Sequence, residues 1–273
     1  MTRTRDENEL KKIALQVRRH IIEMIYIGGS GHPGGSLSAA DLMVGLYFGE
    51  MSIRPDDPKW IDRDRFVLSK GHIAAGYYAV LAQAGYFPVD VLKTFRKLGS
   101  PMQGHPCMLK TCGVDMSSGS LGQGLSVGNG MALAGRLDGK SYRVYVLMGD
   151  GEVQEGQVWE AAMTSAHYKL DSVCAILDYN NLQIDGHVSS VKEIAPLKQK
   201  WQSFGWHTIE IDGHNFTQIL AAYDEARTIK GKPSIIIART IKGKGVSYME
   251  NVAEYHGKAP DEAGYRKAMA ELV

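Results

Sequence analysis

The chain has 273 residues, 44% of them hydrophobic and 22% charged, with a formal net charge of +1. That is the make-up of a globular protein of one large domain or two small ones, and it lacks the basic block or arm that a nucleic-acid partner would require. No apolar run approaches the roughly 20 residues that cross a bilayer, and the charged opening "MTRTRDENELKK" lacks the apolar stretch of a signal peptide, so a cytoplasmic protein with no membrane partner is expected.

In chain order, Leu10, Ile13, Ala14, Val17, Ile21 and Ile25 recur at helical spacing and predict a helix over the first 27 residues. "SGHPGGSLSAADLMVGLYF" is a glycine turn followed by a helix starting near Ser36 or Ser38. "DRFVLSKGH" is a short strand ending in a glycine turn, and "IAAGYYAVLAQAGY" is a helix. Cys107 and Cys112 stand five apart near His105, but no fourth ligand at a suitable spacing completes a zinc site. With Cys174 they make an odd count and read as reduced thiols. "SSGSLGQGLSVGNGMALAGRL" is a small-residue turn running into a helix that must pack closely.

Four clear strands follow: "RVYVLM", "SVCAIL", "WHTIEI" and "SIIIA". They are short, β-branched and apolar on both faces, as strands buried in a parallel sheet are. Helices are predicted at about 152–168, 215–230 and 260–272. There is no internal repeat. Alternating strand and helix predicts an α/β fold, a doubly wound parallel sheet flanked by helices, with its site at the carboxyl ends of the strands. Those ends read Gly149-Asp150-Gly151, Asp178-Tyr179-Asn180-Asn181, Asp212-Gly213-His214 and Arg239-Thr240-Ile241-Lys242-Gly243.

Asp150 closes one strand, and Asn180, thirty residues on, closes the next. That interval is one strand–helix–strand unit, and a right-handed crossover sets such strands side by side. A carboxylate, an amide oxygen and a backbone carbonyl are hard donors that leave room around Mg²⁺ for phosphate oxygens and water. The glycines admit a phosphate close to the backbone, and the following helix offers N–H groups and a positive dipole end. Gly-Asp-Gly alone is usually just a turn. The two strand ends together predict a diphosphate held by a divalent metal.

"GDG", a spacer of about 30 and "NN" resemble the thiamine diphosphate motif of transketolases, 2-oxo-acid dehydrogenases and 2-oxo-acid decarboxylases. The resemblance implies Mg²⁺ on Asp150, Asn180 and the Leu182 carbonyl, with Ca²⁺ or Mn²⁺ able to substitute. It implies the diphosphate against Gly149 and Gly151, and Glu155 as an acidic residue linking paired sites. "SGHPGGSLS", "LSKGH", "GHP", "GSLGQGLSVGNGMA" and "RTIKGKGVSYMENVAEYHGKAP" are similar to transketolase in order and interval, from about residue 10 to 265.

By that resemblance His32, His72, His105 and His256 are catalytic. His32 and His256 would act at the C3 hydroxyl of a ketose donor as C2–C3 cleaves. His72 and His105 would hold the C1 hydroxyl, with His72 and His256 also near the diphosphate. The Gly119 carbonyl would accept from the cofactor's pyrimidine amino group, and Leu121 and Ile184 would wall its rings. Imidazole suits such proton traffic near neutral pH, although a single histidine beside glycine is more often a cap or surface residue. The chain departs from the family at Ser120, where proline is frequent, and at Lys242, where an apolar residue near the ring is expected. His214 is given no role beyond a structural hydrogen bond.

The resemblance also implies what residues 1–273 lack. As a single thiamine diphosphate diphosphate-binding domain they would need a glutamate from a pyrimidine-binding domain. That domain and a C-terminal domain are expected on a partner chain. The expected protein is the N-terminal subunit of a split transketolase, α₂β₂, transferring a two-carbon ketol unit from a ketose phosphate to an aldose acceptor in pentose phosphate metabolism. A fragment of a longer protein is the alternative on length. The alternatives on function are the α subunit of a 2-oxo-acid dehydrogenase, a 1-deoxyxylulose-5-phosphate synthase-like enzyme and a non-catalytic cofactor-binding subunit. The histidine set argues against the first two, and the presence of Asp150 and Asn180 against the third.

Overall fold

The computed structural model describes residues 3–273. Helix α1 (Glu7–Gly28) forms where the apolar spacing places it. Asp6 caps it by accepting the amides of Asn8 and Glu9, and Gly29 ends it at φ 63°. The turn at "GHPGGS" is itself helical. Helix α2 (Pro33–Ser38) has proline in its first turn, and α3 (Ala40–Val44) follows before a π-helical turn at Gly45–Glu50. The predicted start near Ser36 therefore falls inside the first of two short helices.

Five strands make one parallel sheet: β1 (Arg65–Leu68), β2 (Val144–Gly149), β3 (Val173–Tyr179), β6 (His207–Asp212) and β7 (Ser234–Arg239). Their spatial order is β1-β2-β3-β7-β6. Side chains alternate between two apolar layers at period two. Tyr145, Leu147, Cys174, Ile176 and Ile236 face one layer, with α1, α3 and α4 (Ala74–Ala84). Val144, Val146, Ala175, Leu177, Ile235 and Ile237 face the other, with α5 (Gly124–Leu137) and α6 (Gly156–His167). Each fully buried isoleucine there contributes about 1.5–3 kcal/mol of burial free energy.

One strand departs from expectation. "WHTIEI" reads as buried on both faces, but β6 lies at the sheet edge, with Ile209 and Ile211 buried and Glu210 and Asp212 exposed. An edge strand is covered less than its neighbours. The segment between β3 and β6, for which no element was predicted, forms a small hairpin of β4 (Leu182–Gln183) and β5 (Gly186–His187), then α7 (Val188–Val191) and α8 (Leu197–Ser203). The predicted helix at 152–168 is a 3₁₀ turn, Gly151–Gln154, leading into α6. The remaining helices, α9 (Phe216–Thr228) and α10 (Glu262–Glu271), match the predictions at 215–230 and 260–272 within two residues at each end.

The chain runs β1, β2, β3 outward, skips a place to β6, and returns through α9 to insert β7. The segment after β3 packs into the α5–α6 layer through Val188, Leu197 and Trp201. The segment after β7 packs into the α1 layer through Val246, Met249 and Leu272. Neighbouring strand ends whose chains leave for opposite faces open a crevice at the carboxyl edge, where α/β folds bind ligands.

Candidate active site

A cavity of about 370 Å³ opens at that edge. It is lined by Lys70 and His72 after β1, Gly149 to Glu152 after β2, Asn180 and Leu182 after β3, and Lys242 and His256 beyond β7. His32 and Gly119 also line it, and Leu121, Glu155 and Ile184 stand in it as exposed residues. Three of the four strand ends read from the sequence therefore meet. The fourth does not: Asp212-Gly213-His214 lies outside the lining, because β6 is the far edge strand, separated from β3 by β7.

Asp150 is 3% exposed. One carboxylate oxygen accepts the Gly151 amide at 2.8 Å and the other the Asn181 amide, which ties the ends of β2 and β3 together. Burial, then the neighbouring Asp178, push the Asp150 carboxyl up to about 6. A cation in the site would reverse that. Asn180 Oδ1 accepts the Leu182 amide at 3.1 Å, so the loop is bent back on its own side chain. Gly34 admits Lys242 to the cavity: a Cβ there would stand 3.0 Å from Lys242 Cγ and 2.9 Å from the Tyr255 carbonyl oxygen. Lys242 is buried, and its Nζ donates to the Leu182 carbonyl at 2.9 Å and meets His256 Nδ1 at 3.0 Å. Burial and then Lys70 bring its ammonium down to about 8.

Behind the cavity Lys70 pairs with Asp178, which also accepts from Ser38 and Thr240. Burial alone would raise Asp178, but Lys70 and these donors hold it below the usual carboxylate range. Such a pair adds little net stability but fixes where the Lys70 side chain goes. Glu152, 2% exposed, accepts from Ser69, from the Gly122 amide at 2.9 Å and from the Gly149 amide at 3.0 Å. It thus pins the loop carrying Gly119 and Leu121 to the ends of β1 and β2. Gly124 is glycine because a Cβ would fall 2.3 Å from Ser69 Oγ.

The histidines form a group. His32, His72 and His256 have ring centroids 5.1 Å (His32–His72), 5.4 Å (His32–His256) and 5.1 Å (His72–His256) apart. Burial, then Arg96, His105 and Lys242, lower His32 to about 4. Burial, then Lys242 and His32, lower His256 to about 3. His72 is lowered as well, by burial first. All three are neutral at pH 7. His105 is not in the cavity lining; it stands exposed behind Gly119, its Cδ2 3.4 Å from where a Cβ on that residue would be. Burial and Arg96 lower it too.

The residues fit a diphosphate and a hard divalent cation. Asp150, Asn180 and Leu182, all in the cavity lining, supply a carboxylate, an amide oxygen and a carbonyl, all hard donors. A Cβ on Gly151 would meet Gln183 at 3.2 Å, so the glycine keeps a cradle open. His32 Nδ1 is buried without a partner among the described residues. No three His, Cys, Asp or Glu side chains converge on a metal among the described residues, and the three cysteines are free.

Sequence reasoning gave no role to Lys70, Ser69, Asp178 or Glu152. "LSKGH" and "GDGE" contain three of them, at strand ends, but their partners lie far away in the chain. Lys242 stands where the resemblance implies an apolar residue near a cofactor ring, and its ammonium donates to the candidate metal-ligand carbonyl of Leu182.

Comparison with known proteins agrees with this geometry. Residues 10–272 match the family model described as transketolase, thiamine diphosphate binding domain. The chain is 45% identical over 264 residues to one subunit of the 6-deoxy-6-sulfo-D-fructose transketolase of Clostridium sp., covering 97% of this chain and 96% of the relative. It is 41% identical over 255 residues to one subunit of the apulose-4-phosphate transketolase of Phocaeicola vulgatus, covering 93% and 90%. Transketolase from Leishmania mexicana superposes with a TM-score of 0.91 at 34% identity, over 96% of this chain and 41% of that one. The Campylobacter jejuni enzyme superposes with 0.92 at 32%, over 98% and 43%. The chain thus spans about two fifths of the solved transketolases and nearly the whole of the separate subunits. It belongs to the transketolase family, matching the thiamine diphosphate-binding, N-terminal part that the split enzymes carry as a subunit of its own.

Proposed function

We propose that this chain supplies the diphosphate- and metal-holding half of a ketol-transferring active site, completed by a partner subunit carrying pyrimidine-binding and C-terminal domains. The observation that carries this reading is a cavity furnished on one side only. The oxygens of Asp150, Asn180 and Leu182 and the three neutral histidines line it, while Ile184 and Leu121 at its rim are 69% and 37% exposed. Apolar side chains left open beside buried polar groups suit a surface that a partner covers.

Mg²⁺ would sit on Asp150, Asn180 and the Leu182 carbonyl, and the diphosphate against Gly149, Gly151, Lys70 and Lys242. When bound, thiamine diphosphate supplies the electron sink that ketol chemistry needs. This chain's own residues do the rest of the work on their side. Neutral His32 and His256 take the proton from the donor's C3 hydroxyl as C2–C3 cleaves and return one when the new bond forms. His72 and His105 hold the C1 hydroxyl. Glu152 keeps the Gly119 carbonyl and Leu121 in place for the pyrimidine. Glu155, exposed at the rim, faces the partner.

The substrate class is a ketose with an anionic terminus. Beside His105 a second opening, lined by Arg96, Lys97 and Lys110, carries positive charge. Two relatives are named for a sulfonated ketose and a ketose phosphate, and both are anionic. No described helix is long and apolar enough to cross a membrane, and the composition suits the cytoplasm.

The test is native mass spectrometry of the chain purified from its own cells with thiamine diphosphate and Mg²⁺, followed by a ketol-transfer assay on the assembly. Two copies of this chain, two of a second chain and two cofactors, with turnover of an anionic ketose, are expected. A self-associated chain without cofactor or turnover would overturn the reading.

A further inference from the structure

The edge-strand turn Asp212-Gly213-His214 takes no part in the cavity, yet its histidine is wired to it. His214 Nδ1 meets Asp41 at 2.7 Å, and its Nε2 lies 2.9 Å from the Ile241 amide nitrogen. An amide nitrogen can only donate, so Nε2 is the acceptor, and the ring proton is on Nδ1, donated to Asp41. Asp41, 5% exposed, is held in turn by both terminal nitrogens of Arg18 at 2.8 and 2.7 Å. Arg18 Nε donates to the Lys244 carbonyl at 3.1 Å. The pair Arg18–Asp41 therefore grips residues 241 and 244 of one loop, through His214 at one point and directly at the other.

Between those two points lies Lys242, whose ammonium bonds the Leu182 carbonyl and His256. The Lys242 carbonyl accepts the Asn251 amide at 2.9 Å, and the Gly243 amide donates to the Gly34 carbonyl at 2.9 Å, beside the His32 turn. Displacing the loop at Ile241 would thus move Lys242, Leu182 and the histidine group together. An isolated histidine at an α/β strand end needs no such chain of partners to be stable. Here the hydrogen bonds joining Arg18, Asp41, His214 and Ile241 connect groups far apart in sequence, and the peptide bond from Ile241 to Lys242 carries the chain to the cavity.

We propose that His214 is a positioning residue for the cofactor site: fixed in one tautomer by Asp41, it holds the Ile241 amide and so sets the place of Lys242 against the diphosphate and the Leu182 carbonyl. This rests on the functional reading above. It assigns His214 no contact with substrate or cofactor.

The experiment uses the full chain assembled with its partner and compares the parent with His214→Ala and His214→Gln. Glutamine carries one acceptor and one donor and can bridge the same two groups. Thiamine diphosphate affinity is measured at fixed Mg²⁺, kcat at saturating cofactor, and hydrogen exchange of the Ile241 amide without cofactor. His214→Ala is expected to weaken cofactor affinity about tenfold, as loss of a supporting shell around a site does. Its kcat at saturation should stay within about threefold, its Ile241 amide should exchange faster, and His214→Gln should recover part of both. Unchanged affinity in His214→Ala, beside a parent that binds normally, overturns the positioning role alone. Exchange loosened throughout the chain, with kcat and affinity falling together and no recovery in His214→Gln, overturns it in favour of a general stability role. A parent assembly that binds no cofactor overturns the functional reading, and this inference with it.

Discussion

Lys242 donates to the Leu182 carbonyl at 2.9 Å across sixty residues of sequence, and the same ammonium stands 3.0 Å from His256 Nδ1. One buried cation thus touches both a candidate metal-ligand oxygen and a candidate catalytic base. It also explains part of the depressed basicity of His256, since burial comes first among the causes and Lys242 second. A positive charge nearby disfavours a second one.

Lys242→Met removes that charge while keeping an unbranched stem. His256 should then titrate nearer its ordinary value of about 6.5, read from its imidazole proton resonances in the cofactor-free chain. Thiamine diphosphate affinity should fall about tenfold or more, because the charge-assisted contact proposed between Lys242 and the diphosphate is lost. A His256 titration that does not move would show that Lys242 is not its electrostatic neighbour in solution.

Asp150→Ala deletes the only carboxylate in the proposed Mg²⁺ set and frees the amides of Gly151 and Asn181. Mg²⁺-dependent cofactor binding to the assembled enzyme should fall by about two orders of magnitude. Calorimetric titration with and without Mg²⁺ checks this. Undiminished binding would place the metal elsewhere.

His32→Ala should leave cofactor affinity nearly unchanged, since no diphosphate contact is assigned to that ring. Turnover should drop by about 10²–10⁴-fold, the usual worth of a positioned proton carrier. Steady-state kinetics at saturating thiamine diphosphate separate the two effects, and unchanged kcat would remove His32 from the catalytic set.

The same histidines give the folded chain an acid-side weakness. His32 lies at about 4 and His256 at about 3 in the fold, against about 6.5 unfolded. From about pH 6.5 down to those values the unfolded chain binds more protons, so stability declines as pH falls through that window. Asp150, pushed up to about 6, acts in the opposite direction. The measurement is therefore a comparison: urea midpoints at pH 7 and 5 for the parent and for His32→Gln with His256→Gln. The double variant should lose less stability on acidification, and an equal loss in both proteins would count against neutral, buried imidazoles.

Much of the site was legible in the sequence because its carriers are local signals. Asp150 and Asn180 each follow an apolar run, so the strand pattern put them at carboxyl ends, and the thirty-residue interval between them made those strands neighbours. His32 and His72 sit in glycine turns that end or begin elements. Gly149 and Gly151 close a strand in a glycine turn, and they line the cavity together with Gly119, which the resemblance pointed to. The fold class followed from the same alternation of strand and helix.

Apart from the short elements between β3 and β6, period and composition determined most of the strands and helices, since those depend on contacts a few residues apart. Tertiary structure alone decided the order β1-β2-β3-β7-β6, which puts β6 at the edge and keeps His214 out of the cavity. It alone brought Lys70 to Asp178, Glu152 to Ser69 and Gly122, Lys242 to Leu182, and His214 to Asp41 and Ile241. Each of these is a polar contact between groups distant in sequence and wholly or partly buried together. No periodicity announces such a contact, because what selects the partner is the cost of leaving a buried polar group unpaired once the chain has closed around it.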